Sequence, residues 1–307
     1  MGAPPSASAA GRLPSTTSDV TFGTLFGTLL GIGAPWEAAI YDKREVFPQS
    51  PLALVAAEIR FTDAARLRQQ TTRDEVTLAL EERFPFAEAL ERTDFALHPA
   101  AAPQVQQRSG VVLKNATSTE TLTVMSESLT YETTDYRDFD DLLSAVTAAC
   151  QALLSANVRP ALRRIGLRYI DEVRVPDPVT DVRQWEKWID RRLIEHLDVG
   201  PEGVMATTTQ GITTYDLREG RGLNFRYAAL NQGPVVVPQH LQRATFDAGP
   251  FFVLDFDGFR DFTSDSATPL APEVVRATLE AVHAPCGATF QRAITDEARN
   301  LFRGHQQ

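Results

Sequence analysis

Residues 163–176, Arg-Arg-Ile-Gly-Leu-Arg-Tyr-Ile-Asp-Glu-Val-Arg-Val-Pro, constrain the fold more than any other stretch of this chain. They have the β-branched and aromatic content of a strand. Side chains of a strand point alternately to its two faces, which puts Ile165, Leu167, Tyr169, Val173 and Val175 on one side. The other side carries Arg164, Arg168, Glu172 and Arg174, interrupted by Gly166 and Ile170. A chain with such a strand at its middle needs a sheet with one packed face and one charged face.

Length allows one large or two ordinary domains, and an apolar content of 43% is ample for a core. Net charge is −10, which argues against a general nucleic-acid binder, because these carry a basic footprint. Cys150 and Cys286 are the only cysteines. They provide no disulfide framework and no zinc-ligand spacing, and are expected to be buried thiols in a cytoplasmic protein. No segment is long and apolar enough to span a bilayer, which takes about 20 residues.

Residues 1–35 are expected to form a disordered tail that holds one unusual segment. Residues 20–34 are uncharged, and Gly23, Gly27 and Gly31 fall four apart. On a helix these glycines would make one smooth strip flanked by Phe22, Leu25, Phe26, Leu29 and Leu30, with Ile32 following. Each glycine weakens an isolated helix by about 1 kcal/mol, so the segment orders only on a partner. It can fold back on its own domain, dock to another protein, or touch a membrane, though it lacks basic flanks for the last. It is also similar to the cargo-loading peptides of encapsulin shells.

The globular part is expected from residue 41. The pattern predicts a strand over 50–61, then a helix over 71–84 with a capping box from Thr72 and Glu75. Strands over 104–114, 120–125 and 129–133 follow, then a helix over 138–156. The order then restarts with the 163–175 strand and a helix over 181–197. Strands over 203–217, 223–230 and 251–258 come next, and a final helix runs over 271–289 and on towards Phe302. This reads as an α+β chain of two halves, 41–160 and 161–303, in one continuous globular unit. Each half runs strand, helix, three strands, helix. Such a duplication gives a mainly antiparallel sheet with helices on one face and a saddle or groove on the other, as in TATA-binding-protein-like and clamp-like folds.

Four stretches together resemble the bacterial "sporadically distributed" family of proteins of unknown function. The most specific is Arg164-Ile165-Gly166-Leu167-Arg168-Tyr169-Ile170. The others are Ser50-Pro51-Leu52 running to Glu58-Ile59-Arg60-Phe61 with Phe84-Pro85, then residues 124–129 leading to Tyr131-Glu132-Thr133-Thr134-Asp135-Tyr136 and Phe139, and lastly His283 with Phe290 and residues 294–297. The resemblance covers residues 41–303 and leaves the tail outside. It implies an accessory or mobile-locus gene and brings no catalytic residues with it.

Candidate site residues follow from charge inside the predicted sheet. Glu58 and Arg60 share a face of one leading strand, and Arg164 and Arg168 share a face of the other. They are either a structural Glu–Arg network or an anion or peptide site, since the arginine fork suits carboxylate and phosphate. Asp255 and Asp257 point the same way on a strand, near Asp261 and Asp265, and are weak candidates for Mg²⁺ or Ca²⁺ set against a solvated face. His283 near Asp296 and Glu297 can do acid–base work or be a structural histidine. No nucleophile elbow, phosphate loop or dinucleotide fingerprint is present, and no cofactor is expected. The favoured reading is a non-enzymatic binding or adaptor protein. Its tail docks to a protein partner and its charged groove takes a ligand; a homodimer is compatible, while nucleic-acid and membrane partners are disfavoured. The alternatives are an enzyme acting on an anionic substrate in the groove and a nucleic-acid clamp.

Overall fold

The first strand, β1 (Leu52–Phe61), alternates as its sequence requires: Val55, Ala57, Ile59 and Phe61 are buried, while Glu58 is half-buried and Arg60 exposed. This comes from a computed structural model of the protein, which describes residues 45–96, 104–236, 238–243, 248–263 and 267–304. The docking segment 20–34, with Phe22, Leu25, Phe26, Leu29, Leu30 and Ile32, lies outside the described residues, as does Asp265.

The chain is α+β. After β1 come helix α1 (Gln70–Leu80) and strands β2 (Phe86–Ala96), β3 (Gln104–Lys114), β4 (Glu120–Met125) and β5 (Ser128–Thr133). Helix α2 (Phe139–Ser155) leads to β6 (Leu162–Val173), β7 (Thr209–Arg218), β8 (Arg221–Leu230) and β9 (Phe251–Asp261), and the chain closes with α3 (Pro272–Ala293) and α4 (Asp296–Phe302). All nine strands form one antiparallel sheet in the order β2-β3-β4-β5-β1-β6-β9-β8-β7. Its middle is the β1–β6 pair, in which Arg60 faces Arg164, Glu58 faces Gly166 and Ala56 faces Arg168.

Helix α2 is cut as its sequence predicts. Asp138 caps it by accepting from the Asp141 amide, and Leu142, Leu143, Val146, Ala149, Cys150 and Leu153 fill its buried side. Helix α3 approaches β9 so closely that a side chain at Gly258 would meet the Cys286 sulfur at 2.8 Å and the Val282 carbonyl at 2.9 Å. Only glycine fits there. Both cysteines are buried free thiols, as expected.

Four expectations need correction. Strand β2 was not foreseen: Glu88, Glu91 and Arg92 dilute its apolar pattern. Helix α1 starts at Gln70 without a side-chain cap, and Thr72 is buried inside it. A short 3-10 turn (Ala65–Arg68) feeds α1 directly, and Arg73 ties the two by donating to the Leu67 carbonyl and the Gln70 side chain. No α-helix covers 181–197; three 3-10 turns do. Asp181 and Asp190 each accept a backbone hydrogen bond two residues on, from Arg183 and Arg192, so each restarts the chain direction. Trp185 and Trp188 are still buried, as their spacing suggested. The last helix covers 271–289 as expected, but its run towards Phe302 is interrupted at Ile294, and Thr295 caps α4.

Candidate functional site

The charged residues singled out in the sequence lie in one row across β1, β6, β9 and β8, on the face opposite Val55, Ile165 and Leu167. Arg60 donates to Glu58 on its own strand at 2.9 Å. Arg164 reaches Asp261 at 3.1 Å and lies 3.8 Å over the Phe259 ring. Arg168 makes a two-pronged bond to Asp255 at 2.8 and 2.7 Å, and Arg226 touches the same carboxylate at 3.4 Å. Donating to Asp255 raises the Arg168 guanidinium above its ordinary value. Asp257 accepts from Asn224 at 3.1 Å. Asp255 and Asp257 do share a face, and both are held by these neighbours. Among the described residues no group of three or more His, Cys, Asp or Glu is arranged to hold a metal ion.

The same face is closed at one end by the β8–β9 connection. Val236 packs against Ile170, Ala53 and Val253, while Gln242 bonds the Ser118 carbonyl from its amide. Glu172 holds this connection down. Its side chain is fully buried, and it accepts from Arg174, from Arg243 and from the Val235 and Val236 amides. Burial pushes the Glu172 carboxyl up, but these donors overcome it and hold it below the ordinary value.

On the core side of β6 the structure has a feature the sequence reading passed over. A cavity of about 360 Å³ opens between β6, β9, the start of α2, the middle of α3 and residues 45–52. That volume is in the range of small-ligand sites. Its walls are aromatic: Phe47, Tyr136, Phe139, Tyr169, Phe256 and Phe290. The rings lock one another, with Phe139 stacked on His283 at 4.0 Å, Tyr136 edge-on to Tyr169 at 5.8 Å and Phe256 edge-on to Phe290 at 6.1 Å. His283 Nδ1 and the Tyr169 hydroxyl are hydrogen-bonded at 2.9 Å. The carboxylates expected near His283 are engaged elsewhere in part: Asp296 accepts from Arg299.

Asp171 lines this cavity from β6. It is only 3% exposed, and no hydrogen bond or ion pair joins its carboxyl to a described residue. Burial pushes the carboxyl well above the usual carboxylate range, and the charge of Asp255 adds to the shift. Buried titratable groups that face a cavity gather at functional sites. Cys286 also lines the cavity, with its thiol pushed up to about 12 by burial, so it is no nucleophile at neutral pH.

Alternation alone places Asp171 in the row of Ile165, Leu167 and Tyr169. A carboxylate in the apolar row of a central strand was the legible signal for this site. No family model matches this chain, and no curated protein matches it either.

Proposed function

We propose that the protein is a non-enzymatic binding protein that takes a small organic ligand into the cavity between β6, β9, α2 and α3. The observation that carries this reading is Asp171: a buried carboxyl with no described partner, set in a wall of interlocked rings. A ligand offering a polar group would give that carboxyl a partner inside the cavity. The charged face of the sheet supports an anion site less well. Arg60, Arg164 and Arg168 each already hold a carboxylate that an incoming anion would have to displace. Ligand-observed NMR with a fragment library tests the proposal. Some fragments are expected to lose their signal transfer in Asp171→Leu or His283→Phe protein; a library in which no fragment responds to either change refutes it.

The architecture proposed with it is a two-fold repetition of one plan, with helices over one sheet face. Its support is that β1 and β6 open comparable runs and pair antiparallel at the centre, each run ending in a long helix. The first run holds one strand more, β2. We also carry forward, as proposals, membership of the "sporadically distributed" family and an adaptor role for residues 20–34, supported by their glycine spacing and uncharged Phe and Leu flanks. Affinity purification from the native host with the full chain and with a chain starting at Trp36 checks the adaptor role. A stoichiometric partner lost with the tail is expected, and identical partners for both chains would exclude docking through it.

A further inference from the structure

We propose that the ligand of the cavity is an organic cation, an alkylammonium group on an apolar or aromatic body. This rests on the reading of the cavity as a binding site and names the chemistry that fits it. The first observation is the sign of the lining. Glu45, Asp138, Asp140 and Asp171 all contribute, and among the described residues that line the cavity there is no Lys or Arg. Two of these acids are already engaged, Glu45 by a two-pronged bond from Arg303 and Asp138 by the Asp141 amide. Asp171 is not engaged by any described residue, and it is the deepest of the four.

The second observation is the wall. Aromatic faces attract cations, by about 0.5–2 kcal/mol for each ring in contact, and more as water is excluded. Phe47, Tyr136, Phe139, Tyr169, Phe256 and Phe290 line the same cavity as the acid. An anion would meet these rings and like charge together. A neutral alcohol could exchange one hydrogen bond with Asp171 and gain nothing from the rings beyond contact. A cation gains from both, and a protein of net charge −10 favours its approach.

The groups that face Asp171 are compatible with this. Tyr169 on its own strand and His283 on α3 are bonded to each other, and the Cys286 thiol keeps its proton. Asp138 and Asp140 from α2 and Glu45 add negative charge, and Asp255 acts from the far side of the sheet, tied to Arg168 and Arg226. When an ammonium group enters, the Asp171 carboxylate becomes its counter-ion, and any proton that burial holds on that carboxyl leaves to buffer. One O–H bond breaks, the proton leaves to solvent, and the charge of the ligand is unchanged.

The test uses the full chain and three probes of one skeleton: 3-phenylpropylamine, 3-phenylpropan-1-ol and 3-phenylpropanoate. Affinities are measured by calorimetry at neutral pH in two buffers of different ionisation heat. The amine is expected to bind roughly tenfold or more tightly than the other two, a gap equal to about 1.4 kcal/mol. Its heat should depend on buffer, reporting proton release, and Asp171→Asn should lose roughly the same factor. Equal binding of the alcohol or the acid overturns the cation proposal and leaves the cavity reading standing. So does an amine that binds Asp171→Asn unchanged. Amine binding that emerges only once Lys43 and Arg44, which precede Glu45 in sequence, are replaced by Gln overturns it as well. If neither these probes nor any library fragment binds, both readings fall.

Discussion

Asp171→Asn raises the melting temperature at about pH 8 and leaves it nearly unchanged at about pH 4. The sign follows from the direction of the shift. The folded protein holds the Asp171 proton more tightly than the unfolded chain does, because burial raises the carboxyl well above its ordinary value. Below the unfolded pKa both states are protonated and the residue costs nothing extra. As pH rises above it, the unfolded chain ionises and the folded one does not, so stability falls by about 1.4 kcal/mol per pH unit until the folded pKa is reached. Asparagine has the shape without the proton, so the variant escapes that slope. Each kcal/mol recovered is worth about 2–4 °C in a protein of this size class. Parallel melting curves for the two proteins across this range would show that the carboxyl is solvated or paired after all. A residue whose replacement stabilises the fold while weakening binding is the mark of a site kept at a cost to stability.

Glu172→Gln has the opposite effect, one residue away. It removes the charge that Arg174 and Arg243 share and the acceptor that holds the Val235 and Val236 amides at 3.0 and 3.4 Å. Breaking a buried charge pair costs about 3–5 kcal/mol, which corresponds to a fall of roughly 10 °C. Hydrogen exchange at Val235 and Val236 should rise with it, since the β8–β9 connection loses its anchor. The deficit is present above the ordinary carboxylate pKa and closes as pH falls through the lowered folded pKa, where the wild-type carboxyl also becomes neutral. A variant with wild-type melting and unchanged exchange would mean that Val236 packing against Ile170 and Val253 holds the connection by itself.

How much of this was legible in the sequence depends on where each interaction is made. Local chemistry read well. The strand expected over 50–61 is β1, and the apolar spacing from Phe139 to Leu153 marked α2. Reading failed where local rules competed. Thr72 and Glu75 offered a cap, but the preceding turn and Arg73 start α1 earlier. Trp185, Trp188 and Leu193 sit at helical spacing, yet Asp181 and Asp190 close separate turns. The charged row was legible as a row, because strand periodicity fixes the face. Its pairings were not, since Arg168 meets Asp255 only through the β6–β9 register. The cavity is the least local of all: Asp171 and His283 come to line one space only where α3 lies against β6 and β9, an approach that the missing side chain of Gly258 permits.

The position of β1 has a consequence for how the chain is made. It is the first of the described strands to leave the ribosome, yet it belongs at the centre of the sheet. Its second neighbour, β6, is translated about 100 residues later, a delay of about 5–20 s at bacterial and eukaryotic rates. Once β5 has followed, β1 has one edge paired and the other bare until β6 is made, with Val55, Ile59 and Phe61 awaiting cover. A chain halted before Leu162 therefore presents an unfilled place that the β6 of a neighbouring copy can enter in the native register, and crowded synthesis of this protein favours exchange of strands between nascent chains.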